Sequence, residues 1–375
     1  MNKQKKHILI LSSWYPNRDQ PFLGNFVQNQ AVLLSSIYHV SVVYLHADKN
    51  CDAIQLEIVE KDFLKEIRVY YPKKSNPISS YFITLKALKK GLKVLDEVDL
   101  IHGHVMLPKG FLFLKTKAIL RKPLIITEHS SVFLQKSKNE MGLRNRLMLQ
   151  RLLKKADALI AVSDVLKVAL LPFFPNEPIQ TIGNPIKTDL FRLKPTIQSN
   201  IYSFLHVSTL DRVNKNPLGI LSAVEMLLKN ADVNFCLRIV SDENYADFET
   251  LVKQKGLEKH IKFYGPCSSE ELVEHYHKSH AFIMFSNYET FSIVIGEAWS
   301  CGLPVISTPV GIASHLSNEL GIQVNINDSL SLAHAMEKII KGEQFDPIAI
   351  RNHALQFSEE QILEKIKNLY SRYLG

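Results

Sequence analysis

Residues 281–307 read AFIMFSNYETFSIVIGEAWSCGLPVIS. The first six residues are an apolar run ending in serine, as a buried strand would be. Val305–Ser307 begins another. Between them lies an apolar segment of helical length, closed by Gly302 and Pro304, which stop a helix. Strand, helix, strand is the unit of a parallel sheet. Two carboxylates interrupt it, Glu289 and Glu297, eight residues apart. Carboxylates are seldom fully buried unless something pairs with them, so the pattern asks for a ligand. A helix over 289–302 with Thr290 as N-cap would place Phe291 and Ser292 in its first turn. The free amides there favour an anion. One carboxylate would then sit at the helix mouth and the other roughly 12 Å deeper. A nucleotide sugar has the matching layout of sugar, diphosphate and ribose.

The same alternation runs along the chain. HILILSS, HVSVVYLH, LIHGHV, PLIITEHS and DALIAVS read as buried strands in the first half. IYSFLHVST, NFCLRIVS, HIKFYG, AFIMFS and PVIST read as strands in the second. Continuous Val, Ile and Leu runs separated by amphipathic helices imply parallel sheets covered on both faces. Two such series in 375 residues imply two doubly wound α/β domains. The pattern breaks at Gly183, Asn184 and Pro185. That predicts a first domain over 1–185 and a second over 186–356, with an amphipathic helix in 357–375.

Composition limits the function. The apolar fraction of 46% is that of a globular protein, and no apolar run approaches a membrane span. The four cysteines are scattered, without zinc spacing, which fits a reducing, cytoplasmic compartment. The net charge of +8 is uneven: +12 over 1–185 and −4 over 186–375. A basic half implies an anionic partner, nucleic acid or anionic lipid. Its cations gather in LKALKKGLK (85–93), KTKAILRK (115–122) and KSKNEMGLRNR (136–146), beside leucines and phenylalanines. No GxGxxG follows a strand, which disfavours a nicotinamide dehydrogenase.

Glu289, Glu297, Ala298, Gly302, Pro304 and Val305 together resemble the signature of glycosyltransferase family 4. WYPNRDQPFLGNFVQNQA, DLIHGH, TEHSS, IAVSDVLK, NPIKTDLF and YGPCSSEEL resemble further landmarks of that family, in order. The resemblance implies a GT-B fold, with two Rossmann-like domains facing across a cleft and the C-terminal helix, 357–375, packing back on the first. It implies a retaining enzyme that moves a sugar from a nucleotide diphosphate sugar to an acceptor hydroxyl, in cell-surface polysaccharide or lipid-linked saccharide synthesis. By the resemblance, Glu297 binds the ribose hydroxyls and Glu289 the donor sugar. The amides near Thr290, Phe291 and Ser292 meet the diphosphate, Gly24 approaches the donor phosphates, and Lys215 neutralises the leaving group. His129 lies near the anomeric carbon. Two departures stand out. Thr209 occupies the position of the family's usual arginine, with Arg212 as the candidate replacement, and Ile312 stands where a second glycine is usual. A nucleotide-sugar epimerase of the same fold and a catalytically silent nucleotide-sugar-binding paralogue are the alternatives.

No Asp-x-Asp occurs in the chain. The expectation is catalysis without a metal or other cofactor, by fixed cations and helix-end amides. In that reading the partners are the nucleotide-sugar donor, a saccharide or lipid-linked acceptor and an anionic membrane surface, and not nucleic acid.

Overall fold

A computed structural model describes residues 5–136, 140–174, 178–193, 201–230 and 233–374. Contacts divide the chain into two compact units. One runs to Pro185 and includes the C-terminal segment from Ile362; the other is Ile186–Gln361.

The first unit holds eight strands: β1 His7–Ser12, β2 His39–Asp48, β3 Gln55–Lys61, β4 Leu64–Pro72, β5 Leu100–His104, β6 Leu124–Glu128, β7 Ala158–Ala161 and β8 Ile179–Thr181. Their order is β3-β4-β2-β1-β5-β6-β7-β8, all parallel except the β3–β4 hairpin. Its helices are α1 Asn25–Ser35, α2 Pro77–Leu92, α3 Gly110–Leu120, α4 Val132–Gln135, α5 Leu143–Leu153 and α6 Asp164–Leu170. The sequence pattern does not mark three of these strands. β3 (QLEIVEK) is an exposed edge strand, and β4 (LKEIRVYYP) and β8 are too polar or too short to read as buried runs. Of the basic stretch 136–146, residues 137–139 lie outside the described residues.

The second unit holds β9 Tyr202–Val207, β10 Phe235–Val240, β11 Ile261–Tyr264, β12 Ala281–Met284, β13 Val305–Ser307 and β14 Gly321–Gln323, ordered β11-β10-β9-β12-β13-β14 and parallel throughout. Around them lie α7 Pro217–Asn230, α8 Ala246–Gln254, α9 Ser269–His277, α10 Ile293–Ser300, α11 Ser329–Ile340 and α12 Pro347–Ala354. The core uses the continuous apolar strands. Phe204, Phe235, Ile283, Phe285 and Ile306 are all but inaccessible between the helical layers.

The last helix, α13 Glu359–Tyr370, places Ile362, Ile366, Leu369 and Tyr370 in one cluster with Ile8, Ile10, Leu34 and Val40. Its apolar face is amphipathic spacing put to use. Tyr370 is fully buried, and its hydroxyl lies 2.6 Å from Nδ1 of His102 on β5.

Candidate active site

The helix after β12 begins later than its sequence implies. It spans Ile293–Ser300, with Ser292 as N-cap in the left-handed region at φ 69°. Thr290 is not the cap, and Phe291 lies in the preceding loop rather than the first turn. The cause is tertiary. The carbonyls of Glu289 and Phe291 accept from the amides of Gly311 and Ile312, at 3.2 and 3.0 Å, so they are not free for a helical ladder. Phe291 is buried with its ring against Phe357, centroids 5.4 Å apart. Gly311 must be glycine for this approach: at φ 52°, a Cβ would lie 2.4 Å from the Phe291 carbonyl oxygen. At the far end the helix closes as expected, one position on. Gly302 adopts φ 70°, and the amides of Gly302 and Leu303 reach the carbonyls of Trp299 and Ala298, a Schellman motif.

Glu289 and Lys215 meet. Lys215 Nζ lies 2.5 Å from Glu289 Oε1, and Ser286 Oγ donates to the same oxygen at 2.9 Å. The two side chains keep only 21% (Lys215) and 11% (Glu289) of their surface exposed. The loops that carry them are laced together: Asn287 N donates to the Asn214 carbonyl at 2.7 Å, and its side-chain amide to the Val213 carbonyl at 2.7 Å. Lys215 follows β9 and Glu289 follows β12, neighbouring strands, so the pair stands at the carboxyl edge of the sheet. Ligands of doubly wound sheets bind at that edge.

Glu297 sits in the second turn of α10. Tyr276 donates its hydroxyl to Glu297 Oε2 at 2.9 Å. Burial drives this carboxyl up to about 7, against the hydrogen bond from Tyr276 and the charge of Lys187. Ser292 is buried, and its hydroxyl has no hydrogen-bond partner. Arg212 is elsewhere. Its guanidinium stacks over Phe248 at 5.2 Å and reaches Asp247 at 3.9 Å, with 60% of the side chain exposed.

In the first unit, Gly24 caps α1 at φ 71°, where a Cβ would lie 2.5 Å from the Trp14 carbonyl oxygen. The Trp14 ring meets Phe26, and Phe26 meets His129 at 4.5 Å. His129 follows β6. Its Nε2 is 3.1 Å from Nδ1 of His104, and its Nδ1 is buried without a partner. His102 and His104 lie with ring centroids 4.1 Å apart. Desolvation lowers His102 and His129 to about 3 and His104 well below the usual histidine range, so all three are neutral imidazoles at pH 7.

Two charged groups carry no mark in the sequence. Glu128 is fully buried and accepts from the amides of Met106, His129 and Ser130, yet burial lifts it to about 7. Its neighbour His129 was the only signal in TEHSS. Lys109, lowered by burial to about 8, reaches the Leu45 carbonyl at 2.5 Å. Tyr276, the partner of Glu297, lies 21 residues away in sequence and gave no signal. Among the described residues, no group of three or more His, Cys, Asp or Glu is placed to hold a metal ion.

The first half of the chain matches the Glycosyltransferase Family 4 model over residues 25–190, and the second matches the Glycosyl transferases group 1 model over 188–359. An uncharacterized glycosyltransferase of Methanocaldococcus jannaschii is 25% identical over 360 residues, covering 90% of this chain and 97% of that one. N-acetyl-alpha-D-glucosaminyl L-malate synthase of Bacillus anthracis is 23% identical over 73% of this chain and 75% of its own. Among solved structures, sucrose-phosphate synthase from Thermosynechococcus elongatus superposes with a TM-score of 0.76 at 19% identity, covering 98% of this chain and 99% of that one. Anabaena HepE in complex with UDP gives 0.72 at 17%, covering 98% and 100%. With two parallel α/β sheets, a lysine–glutamate pair at the carboxyl edge of the second, and family models that together span residues 25–359, the chain belongs to the glycosyltransferases of family 4 and group 1 and has the GT-B fold.

Proposed function

We propose that the protein transfers a sugar from a nucleoside diphosphate sugar to a hydroxyl of a saccharide or lipid-linked acceptor, with retention at the anomeric carbon and without a metal. The observation that carries this reading is the Lys215–Glu289 pair at the mouth of α10. Lys215 would neutralise charge on the departing diphosphate, with Arg212 as a second cation if it leaves Phe248. The amides after Thr290, at Phe291 and Ser292, would meet the phosphates. Glu289 would hold the donor sugar and Glu297 the ribose. Gly24, by letting the backbone come close, would admit the phosphates from the first unit, and the neutral His129 would stand near the reacting carbon. Fixed donors aimed at developing charge contribute most to catalysis of this kind. The anomeric carbon passes through an oxocarbenium-like state. No side chain is assigned as nucleophile, so same-face displacement assisted by the leaving phosphate is the mechanism that fits.

The basic first half supports a peripheral, cytoplasmic-face association with anionic membrane, where a lipid-linked acceptor would lie. No helix among the described residues is long and apolar enough to cross a membrane. The test is a screen of nucleotide sugars for release of free nucleotide, with and without EDTA, followed by stereochemical analysis of the product. Acceptor-dependent release, unaffected by EDTA and with retained configuration, is the expected result. Epimerised donor without transfer, or strict dependence on Mn²⁺ or Mg²⁺, would overturn it.

A further inference from the structure

The first unit contains a cavity of about 710 Å³ that the proposed chemistry does not use. One wall is the second half of α3 and the turn after it, and the other is the segment Arg151–Asp157. Arg121, Lys122 and Pro123 immediately precede β6, and Asp157 immediately precedes β7. The cavity therefore lies at the amino ends of these strands. His129 follows the carboxyl end of β6, and the five residues of β6 separate the two edges by roughly 16 Å. Substrates of doubly wound sheets bind at the carboxyl edge, so this is a different site.

Its charge is one-sided. Six cations line it (Lys117, Arg121, Lys122, Arg151, Lys154 and Lys155) against the single carboxylate of Asp157. Asp157 is already engaged: Lys117 Nζ lies 2.5 Å away, and the amide of Leu124 donates to it at 2.7 Å. Lys122 pairs with Glu97 at 3.1 Å. Among the described residues, no carboxylate pairs with the exposed Arg121, Arg151, Lys154 or Lys155. The plain explanation for basic residues here is the negative end of a helix. It favours Lys117 and Arg151, in the last turns of α3 and α5, and Arg121 and Lys154, the C-cap residues of the same helices. It does not remove the cost of bringing two such helix ends together: with Lys155 these cations crowd one cavity, where like charges repel unless an anion joins them.

The remaining wall is apolar, from Leu114, Ala118 and Pro123, and Ile119 beside it is 48% exposed. Lys89 and Lys90, in the last turn of α2, stand at the same amino edge, because α2 also connects parallel strands. Cations around an apolar wall, with more cations along the same edge, match a charged interface better than a small free anion.

We propose that this cavity binds the phosphate headgroup of an anionic phospholipid and sets which edge of the first unit faces the membrane. The inference rests on the membrane association proposed above and gives it a place.

Sedimentation of the full chain with phosphatidylglycerol and phosphatidylcholine vesicles near 0.1 M salt tests it, with two variants matched in charge. One combines Arg121→Gln, Arg151→Gln and Lys154→Gln. The other combines Lys49→Gln, Lys73→Gln and Lys74→Gln, beyond the carboxyl ends of β2 and β4 and so at the opposite edge. Each cation near an anionic surface changes affinity by about fivefold, so the cavity variant should lose on the order of 100-fold or more. The outside variant should lose no more than about tenfold, and release of free nucleotide by both should match the parent chain. Equal losses in the two variants would overturn the cavity while leaving membrane association standing. A parent chain that pellets with neither vesicle would overturn both. Saturable binding of inorganic pyrophosphate by the parent chain, lost in the cavity variant and without vesicle binding, would assign the cavity to a soluble anion instead.

Discussion

The two sheet edges treat charge in opposite ways. In the second unit, Glu289 is held between a cation, Lys215, and a hydroxyl donor, Ser286. In the first, His102, His104 and His129 are stacked in a dry interior, and desolvation removes their charge. Burial beside an opposite charge preserves an ion, whereas burial without one favours the neutral form. The first arrangement suits an anionic ligand, and the second a neutral one. Glu297 lies between the extremes, hydrogen-bonded to Tyr276 but raised to about 7.

The largest expected effect breaks the charged edge. Glu289→Gln should lower kcat on the order of 100-fold, and Lys215→Ala should cost at least about 2 kcal/mol of transition-state stabilisation. The double variant should fall well short of the product of the two losses, because the residues touch. Arg212→Ala should cost much less, its guanidinium being held on Phe248 and Asp247. Steady-state kinetics decide: full additivity of the pair would break the comparison, and an Arg212→Ala loss as severe as that of Lys215→Ala would move Arg212 into the site.

Next comes the neutral edge. His102 makes buried hydrogen bonds with Tyr370 and Thr127, at 2.6 and 2.7 Å. His102→Asn should destabilise the protein by about 2 kcal/mol at pH 7. The pH dependence carries more information. A histidine near 6.5 when unfolded and about 3 when folded binds more protons in the unfolded state, so stability falls as pH drops below about 6.5 toward 3. Glu128, raised to about 7, acts in the other direction between about 4.5 and 7, where rising pH costs stability. Glu297, also raised to about 7, acts with Glu128, and His206, lowered to about 4, acts with the three imidazoles. Four imidazoles oppose two carboxyls, so the melting temperature should fall on acidification below 6.5, and less steeply in His102→Asn. Parallel profiles would mean that the histidine is not the source.

Glu297 gives a smaller effect, on binding. Its carboxylate accepts from ribose hydroxyls better than its neutral acid does, and it ionises near 7, so donor KM should fall as pH rises from about 6 to 8. Glu297→Gln should raise KM about tenfold with little change in kcat and flatten that profile. A variant that retained the slope would remove the ribose assignment. The smallest effect concerns the strained cap. Ser292 holds φ 69° with a buried, unpartnered hydroxyl, and Ser292→Gly should stabilise by about 1 kcal/mol. Thermal denaturation is the check, and a lower melting temperature would show that the side chain contributes a contact.

Much of this was legible in residue order. Parallel α/β sheets follow from continuous Val, Ile and Leu runs spaced by helices, because a strand covered on both faces must be apolar throughout. The interval between Glu289 and Glu297, with Gly302 and Pro304 behind, marks the candidate site because carboxylates are out of place in an ordinary apolar core segment. Edge strands carried no such signature: β3 alternates apolar with polar residues and is exposed along almost its whole length.

Tertiary structure alone decided the rest. Helix α10 starts at Ile293 because the amides of Gly311 and Ile312, about twenty residues on, take the carbonyls that a longer helix would have used. Glu289 found its cation 74 residues upstream, and Glu297 its hydroxyl at Tyr276. The ionisation of Glu128 and of the three histidines depends on how much water the fold excludes, which no spacing encodes. The basic cavity joins α3 to the segment after α5, some thirty residues later, so its cations read as separate charged runs until the fold brought them together. Local propensity and periodicity act over a few residues, whereas desolvation and pairing act wherever the chain returns to itself.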